Sequence, residues 1–182
     1  MNKVAVIVAP GFEEGETVTI VDVLRRVNIE CCTFGFEKVV RGGHGIKIEC
    51  DECLNDSLTD YDMVVLPGGY GGVEAMKENE YLLSMLKQMN EKGKHICAMC
   101  AAPAVLEKID LLVGKNYTAY KGYDQKIKQG HYLEDIVVVD GNIVTGRGPA
   151  TVYPFAFQLA EILGKKTSEL KERLMYNELI RK

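Results

Sequence analysis

Two cysteines stand three residues apart in "HICAMCAAP", residues 95 to 103. A C-x-x-C pair suits a redox dithiol, one half of a zinc site, or two unrelated core thiols. A dithiol motif leads with its first sulfur at a helix N-terminus, but Cys97 falls inside an apolar, strand-like run. A nucleophile elbow fits better, because that sharp strand-to-helix turn needs small residues two positions to either side. Cys100 has Ala98 and Ala102 there, whereas Cys97 has His95 and Met99. The comparison selects Cys100, and the start of a following helix would favour its thiolate. Two ordinary core cysteines are the competing reading, since buried free cysteine is common.

Zinc fits less well. Cys50 and Cys53 form a second C-x-x-C pair, but a whole strand-helix unit separates it from the first. Structural zinc sites use a compact local framework, so no metal is expected. Cys31 and Cys32 are adjacent in a strand-like segment and face opposite sides of it.

A cysteine nucleophile needs proton-handling partners. "PGFEEGET" offers Glu13, Glu14 and Glu16 where a helix begins. Acidic residues stabilise that end in any case, and a solvated helix start suits Glu13 and Glu14. One of the three can project toward Cys100, and a partly buried carboxyl there would tend to keep its proton. Spacing does not choose among them. Of three histidines, His95 begins a strand and His44 lies in the loop "RGGHG". His131, in "QGHYLED", follows a possible strand and is the better base. "LPGGYGG" lacks both the phosphate-loop and the dinucleotide fingerprints. Its glycines do permit close backbone approach. The N–H groups of Gly69 and Ala101 are therefore candidates for an oxyanion hole.

The elements that must position these residues alternate. "KVAVIVAP", the start of "DMVVLPGGYGG" and "KHICAM" read as strands buried on both faces, and "IECCTFGF" as a further strand. Between them run helical patterns at Glu14 to Val27, at "EYLLSMLKQMNEKG" and at Ala101 to Lys108. "GIKIEC" alternates as a half-exposed strand or part of a hairpin, and "NYTAY" is a possible strand. Asp140-Gly141 signals a hairpin in "IVVVDGNIVTG". A long helix follows in "RGPATVYPFAFQLAEILG", and Ser168 caps a last helix through Met175. This order gives an α/β domain with a mainly parallel sheet and helices on both faces. Such sheets bind ligands beyond the carboxyl ends of their strands. "APGFEEGE", "LPGGYGG", "CAMCAAP" and "GRGPAT" all fall at strand ends and would meet on one rim.

The whole chain sets the bounds. Its 182 residues fit one domain, and 47% hydrophobic residues supply a core. A net charge of -4 without a basic patch argues against nucleic acid. No apolar run approaches a membrane span, and an acidic cluster follows the first apolar run where a signal peptide would be cleaved. The expectation is a cytoplasmic chain with reduced cysteines.

With these parts assembled, the chain resembles the ThiJ/PfpI superfamily, and within it the branch of YajL and the parkinsonism-associated deglycase. The resemblance rests on "EEGETV", "DVLRR", "DMVVLPGGYGG", "ICAMCAAPAVL", "GHY" and "VTGRGPAT" in order, with "GGHG" matching more loosely. It implies a flavodoxin-like three-layer sandwich and a homodimer. It implies Cys100 as the elbow cysteine, Glu16 as its carboxyl partner and His131 as the family histidine near the pocket. Gly69 and Ala101 take the oxyanion position, and Arg26 and Arg147 fall near the pocket or the dimer contact. His44 stands where relatives carry a basic arginine. Ala101 replaces the histidine of the protease-like branch, which weakens a protease reading.

Three functions follow. The first is a cofactor-free, cysteine-dependent enzyme acting on small 2-oxoaldehydes or their early glycated adducts. The second is a redox-sensing or chaperone-like stress protein using an oxidisable Cys100. The third is a non-catalytic scaffold.

Overall fold

The computed structural model describes residues 2–181. Its first strand, β1 (Lys3–Val8), is buried from Val4 onward and pairs in parallel with β2 (Glu30–Gly35). The helix between them, α1 (Glu14–Arg26), buries Ile20, Val23 and Leu24 and leaves Arg25 and Arg26 outward. Cys31 is buried and Cys32 half-buried, as alternation along a strand requires.

"GIKIEC" contributes to an antiparallel hairpin of β3 (Val39–Arg41) and β4 (Lys47–Glu49). The two-residue β5 (Glu52–Cys53) then closes one edge of the main sheet. β6 (Met63–Leu66) is fully buried and pairs with β1 on its other side. "GGYGG" is not simply a loop, because α2 (Tyr70–Glu78) begins inside it. Glycines are poor helix formers, but here the helix start lies against the loop after β1. A Cβ on Gly71 would come 3.2 Å from the Gly11 Cα, and one on Gly72 would come 3.0 Å from the Phe12 Cα. The close packing of two backbones, not helix propensity, dictates those residues.

α3 (Glu80–Glu91) starts at Asn79, whose side chain accepts the Leu82 N–H at 2.9 Å. β7 (His95–Met99) lies between β6 and β11 (Ile143–Gly146), paired in parallel with both. The helix expected from Ala101 starts later, as α4 (Pro103–Lys108), because the chain turns sharply at residues 100 to 102. "NYTAY" supplies only β8 (Asn116–Tyr117), which pairs with β9 (His131–Tyr132). β10 (Val137–Asp140) and β11 form the hairpin signalled by Asp140-Gly141, with Gly141 at φ +63°. Pro149 opens a 3-10 turn that leads into α5 (Val152–Ile162).

The last helix is two. α6 (Ser168–Arg173) lacks the expected Ser168 cap, since Thr167 holds the capping position without a side-chain hydrogen bond. Met175 then takes a left-handed φ of +56°, and α7 (Tyr176–Ile180) follows.

The main sheet runs β10-β11-β7-β6-β1-β2-β5, antiparallel only at β10–β11. Right-handed crossovers send α1 to one face and α2, α3 and α4 to the other; α5 packs beside α1. This is the flavodoxin-like α/β sandwich. β1 and β6 are neighbours whose crossovers leave in opposite directions, so a crevice opens beyond their carboxyl ends. No helix of the described residues is long and apolar enough to cross a membrane.

Candidate active site

Cys100 directly follows β7, at a φ of +60°. Left-handed backbone costs a non-glycine residue roughly 1–2 kcal/mol, so the surroundings must hold it. They do so on both sides of the residue. The Cys100 N–H donates to the Gly146 carbonyl at 2.9 Å, and its carbonyl accepts the Tyr120 N–H at 2.8 Å. Ala98 and Ala102 are both fully buried beside the turn. The tightest neighbour comes from another strand end, however. A Cβ on Gly68 would lie 2.6 Å from the Cys100 Cβ and 2.8 Å from Glu16 Oε2.

Glu16, on the first turn of α1, is the carboxyl that reaches the elbow, and it is wholly buried. Its Oε2 accepts the Gly68 N–H at 2.7 Å, while Oε1 has no hydrogen-bond partner among the described residues. Burial raises the Glu16 carboxyl to about 7, against the downward pull of the Gly68 N–H and the Cys100 side chain. Burial, and then the Glu16 charge, push the Cys100 thiol well up. The N–H groups of Ala101 and Gly69 act on the sulfur in the opposite direction. The lowered thiol expected from a helix start is therefore corrected. The sulfur's residue is only 8% exposed, and α4 is a helix of six residues. Cys100 and Glu16 act as a coupled pair. When the carboxyl holds the proton, the repulsion disappears and a thiolate faces a neutral donor.

The crevice holds a cavity of about 400 Å³, walled by Gly11, Phe12, Glu13, Gly43, His44, Gly69, Tyr70, Gly71, Cys100, Ala101, Tyr120 and Pro149. Gly69 and Ala101 thus reach it as anticipated. Gly69 stands at φ +94°, and a Cβ there would come 2.4 Å from the Gly11 carbonyl oxygen.

Glu13 and Glu14 are not the solvated helix start they resemble in sequence. Glu13 Oε2 accepts the Glu16 N–H at 2.5 Å and so caps α1. Glu14 is buried and accepts both the His44 backbone N–H at 2.7 Å and a contact from His44 Nδ1 at 3.1 Å. Burial acts to raise the Glu14 carboxyl, but these His44 bonds outweigh it and the net shift is downward. Glu14 thereby ties the β3–β4 turn to the cavity wall.

Three expected residues lie outside the cavity wall; for Arg26 and Arg147 this removes the pocket position and leaves the dimer contact. His131 is exposed on β9 and is not among the residues lining the cavity. It pairs with Asn116, and the chain enters the site only at Tyr120, four residues further on. Four extended residues span roughly 13 Å, too far for the role expected of His131. Arg26 ends α1 in an ion pair with Asp22 and lines a different depression. Ten helical residues, roughly 15 Å, separate it from Glu16. Arg147 bonds the Glu134 carbonyl and carboxylate and also lies outside the cavity wall. Tyr120 is the residue that sequence reading missed. Its only signal was a position at the end of a weak strand-like run. Cys97 is fully buried between neighbouring strands, and burial pushes its thiol up.

A flavodoxin-like sandwich with an elbow cysteine, a buried carboxyl beside it and two backbone donors defines a class of cysteine-centred α/β proteins. The model of the DJ-1/PfpI family matches residues 2–162, and the chain belongs to that family. The chain is 40% identical to Protein dj-1beta of Drosophila melanogaster, over 91% of this chain and 92% of that one. The crystal structure of Drosophila melanogaster DJ-1beta superposes with a TM-score of 0.92 at 38% identity, covering 96% of this chain and 97% of that one. Deglycase PH1704 of Pyrococcus horikoshii is 30% identical over 88% of this chain and 99% of its own length. Protein DJ-1 homolog B of Arabidopsis thaliana is 39% identical over 87% of this chain, which spans only 37% of that relative's length.

Proposed function

We propose that this chain is a cysteine-dependent enzyme acting on 2-oxoaldehydes, such as methylglyoxal and glyoxal, and on their early adducts. The observation that carries the proposal is the Cys100 elbow at φ +60° beside a buried Glu16 that titrates at about 7. In methylglyoxal, the Cys100 thiolate adds to the aldehyde carbon and the carbonyl oxygen becomes a hydroxyl, giving a hemithioacetal. The proton on that carbon is removed and returned to the neighbouring carbonyl carbon, which Glu16 is placed to mediate. The aldehyde carbon is oxidised to a thioester and the ketone carbon reduced to an alcohol. Water then releases lactate and restores Cys100. The substrate holds both redox partners, so the proposal needs no cofactor. The N–H groups of Gly69 and Ala101 support the negative oxygen formed in each addition. The name of the Pyrococcus relative, a deglycase, agrees with this class of reaction.

The test is conversion of methylglyoxal to lactate by purified protein without additives. Turnover is expected in wild type and in Cys97→Ser, and lost in Cys100→Ser. A clean wild type without turnover overturns the proposal.

A second reading has its own support. The same two N–H donors and a protonated Glu16 would stabilise the oxygens of a Cys100 sulfinate, and a related structure is titled Toxoplasma gondii DJ-1, oxidized. Mild peroxide should then add two oxygens at Cys100 before any other cysteine. Six free thiols support a reducing, cytoplasmic setting. The exposed Val18 on α1, beside the half-buried Val21 and Ile48, supports a homodimer built on that face.

A further inference from the structure

The cavity wall is uneven in charge. Among the residues that line it there is no lysine or arginine, and Glu13 carries a carboxylate there. Glu13 Oε2 faces the Glu16 N–H, and no hydrogen bond among the described residues engages Oε1. The His44 ring is paired with a carboxylate, its Nδ1 lying 3.1 Å from Glu14 Oε2. Tyr70 and Tyr120, at 65% and 40% exposure, present aromatic surface at the mouth.

The positive features are already committed. The α1 start is capped by Glu13, and the Gly69 and Ala101 N–H groups at the starts of α2 and the elbow turn point to the sulfur. Lys126 covers the Tyr123 ring at 4.5 Å and the Tyr70 ring at 5.9 Å without lining the cavity. One end of the cavity therefore receives a developing oxyanion, and the rest of its wall, largely glycine and apolar surface, carries the Glu13 carboxylate and the Tyr120 ring, which attract cations.

We infer that the cavity sorts its ligands by charge: it admits neutral and cationic carbonyl compounds, excludes those bearing a carboxylate or sulfonate, and Glu13 is the residue that sets this preference. This deepens the reading above and rests on its reactive Cys100. The favoured substrates are then 2-oxoaldehyde adducts with an ammonium or guanidinium group near the carbonyl, and the disfavoured ones are oxo acids.

Thiosulfonate labelling tests the inference without requiring turnover. Each reagent forms a mixed disulfide with the thiolate and expels methanesulfinate, so only the tail differs. The intact chain is treated with aminoethyl, hydroxyethyl or sulfonatoethyl methanethiosulfonate, and the rate at Cys100 is read by peptide mass. Rates in the urea-unfolded chain give each reagent's intrinsic reactivity. The normalised rate at Cys100 should be at least about tenfold higher for the aminoethyl than for the sulfonatoethyl reagent, the low end of enrichment in a charged cleft. High salt should reduce that ratio. Glu13→Gln retains an oxygen to cap α1 and should bring the ratio close to one. A ratio near or below one in wild type overturns the inference, as does an unchanged ratio in folded Glu13→Gln. Absence of methylglyoxal turnover would instead overturn the enzymatic reading and leave the labelling ratio standing.

Discussion

Glu16 Oε2 accepts the backbone N–H of Gly68 at 2.7 Å, and that bond holds the acid against the elbow cysteine. It joins the first turn of α1 to the end of β6, two elements that arrive from opposite sides of the crevice. The site is therefore assembled by the sheet's crossover geometry and not by any one contiguous motif.

Burial of Glu16 has a stability consequence of definite sign. Its folded value is raised from 4.5 to about 7, so the folded state binds the proton more tightly than the unfolded chain. The cost is absent below about 4.5, grows as pH rises, and is complete above about 7. Glu16→Gln should stabilise the protein at pH 8 by roughly 3 kcal/mol, and should have little effect at pH 4. Urea denaturation of both proteins at the two pH values checks this.

Gly68→Ala should be damaging out of proportion to its size. The added methyl would meet the Cys100 Cβ at 2.6 Å and Glu16 Oε2 at 2.8 Å. Overpacking of this kind costs about 1–3 kcal/mol. Displacing the pair should lower kcat, by up to about a hundredfold for a shift of about 1 Å. Thermal denaturation and methylglyoxal kinetics on one preparation separate the two effects.

His131→Ala should leave kcat/KM for methylglyoxal within about twofold of wild type, since its side chain is outside the cavity wall. Tyr120→Ala removes part of that wall and should raise KM. Steady-state kinetics of the two variants would reveal the reverse ranking if the histidine were the working base.

Glu14→Ala removes the carboxylate that accepts the His44 N–H in a partly buried hydrogen bond and should cost about 1–3 kcal/mol near neutral pH. The Glu14 carboxyl is held below its ordinary value, so its stabilisation is present above that value and is lost as pH falls through the folded one. The stability gap between wild type and Glu14→Ala should therefore narrow in acid.

Much of this was legible in the sequence. Continuous apolar runs announced β1, β6 and β7, and small residues around Cys100 marked the elbow before any geometry was known. What escaped depended on contacts between distant segments. α2 was hidden because its glycines are chosen for packing on Gly11 and Phe12, which erases the helical signal. Glu13 and Glu14 looked like an acidic helix start because nothing local reveals a partner thirty residues away at His44. His131 was chosen from among the histidines, and only the β8–β9 register shows that Tyr120, four residues beyond its partner Asn116, is the one that reaches the cavity.

The pairing of Cys100 with Glu16 is the centre of this account, and the pH dependence of Cys100 alkylation by neutral iodoacetamide tests it most directly. The rate in wild type should rise with a midpoint above that of an ordinary thiol, because burial and the Glu16 charge push the Cys100 thiol up. In Glu16→Gln that midpoint should move down by at least about one pH unit, because the charge that opposes the thiolate is gone. Superimposable profiles for the two proteins would contradict the coupling.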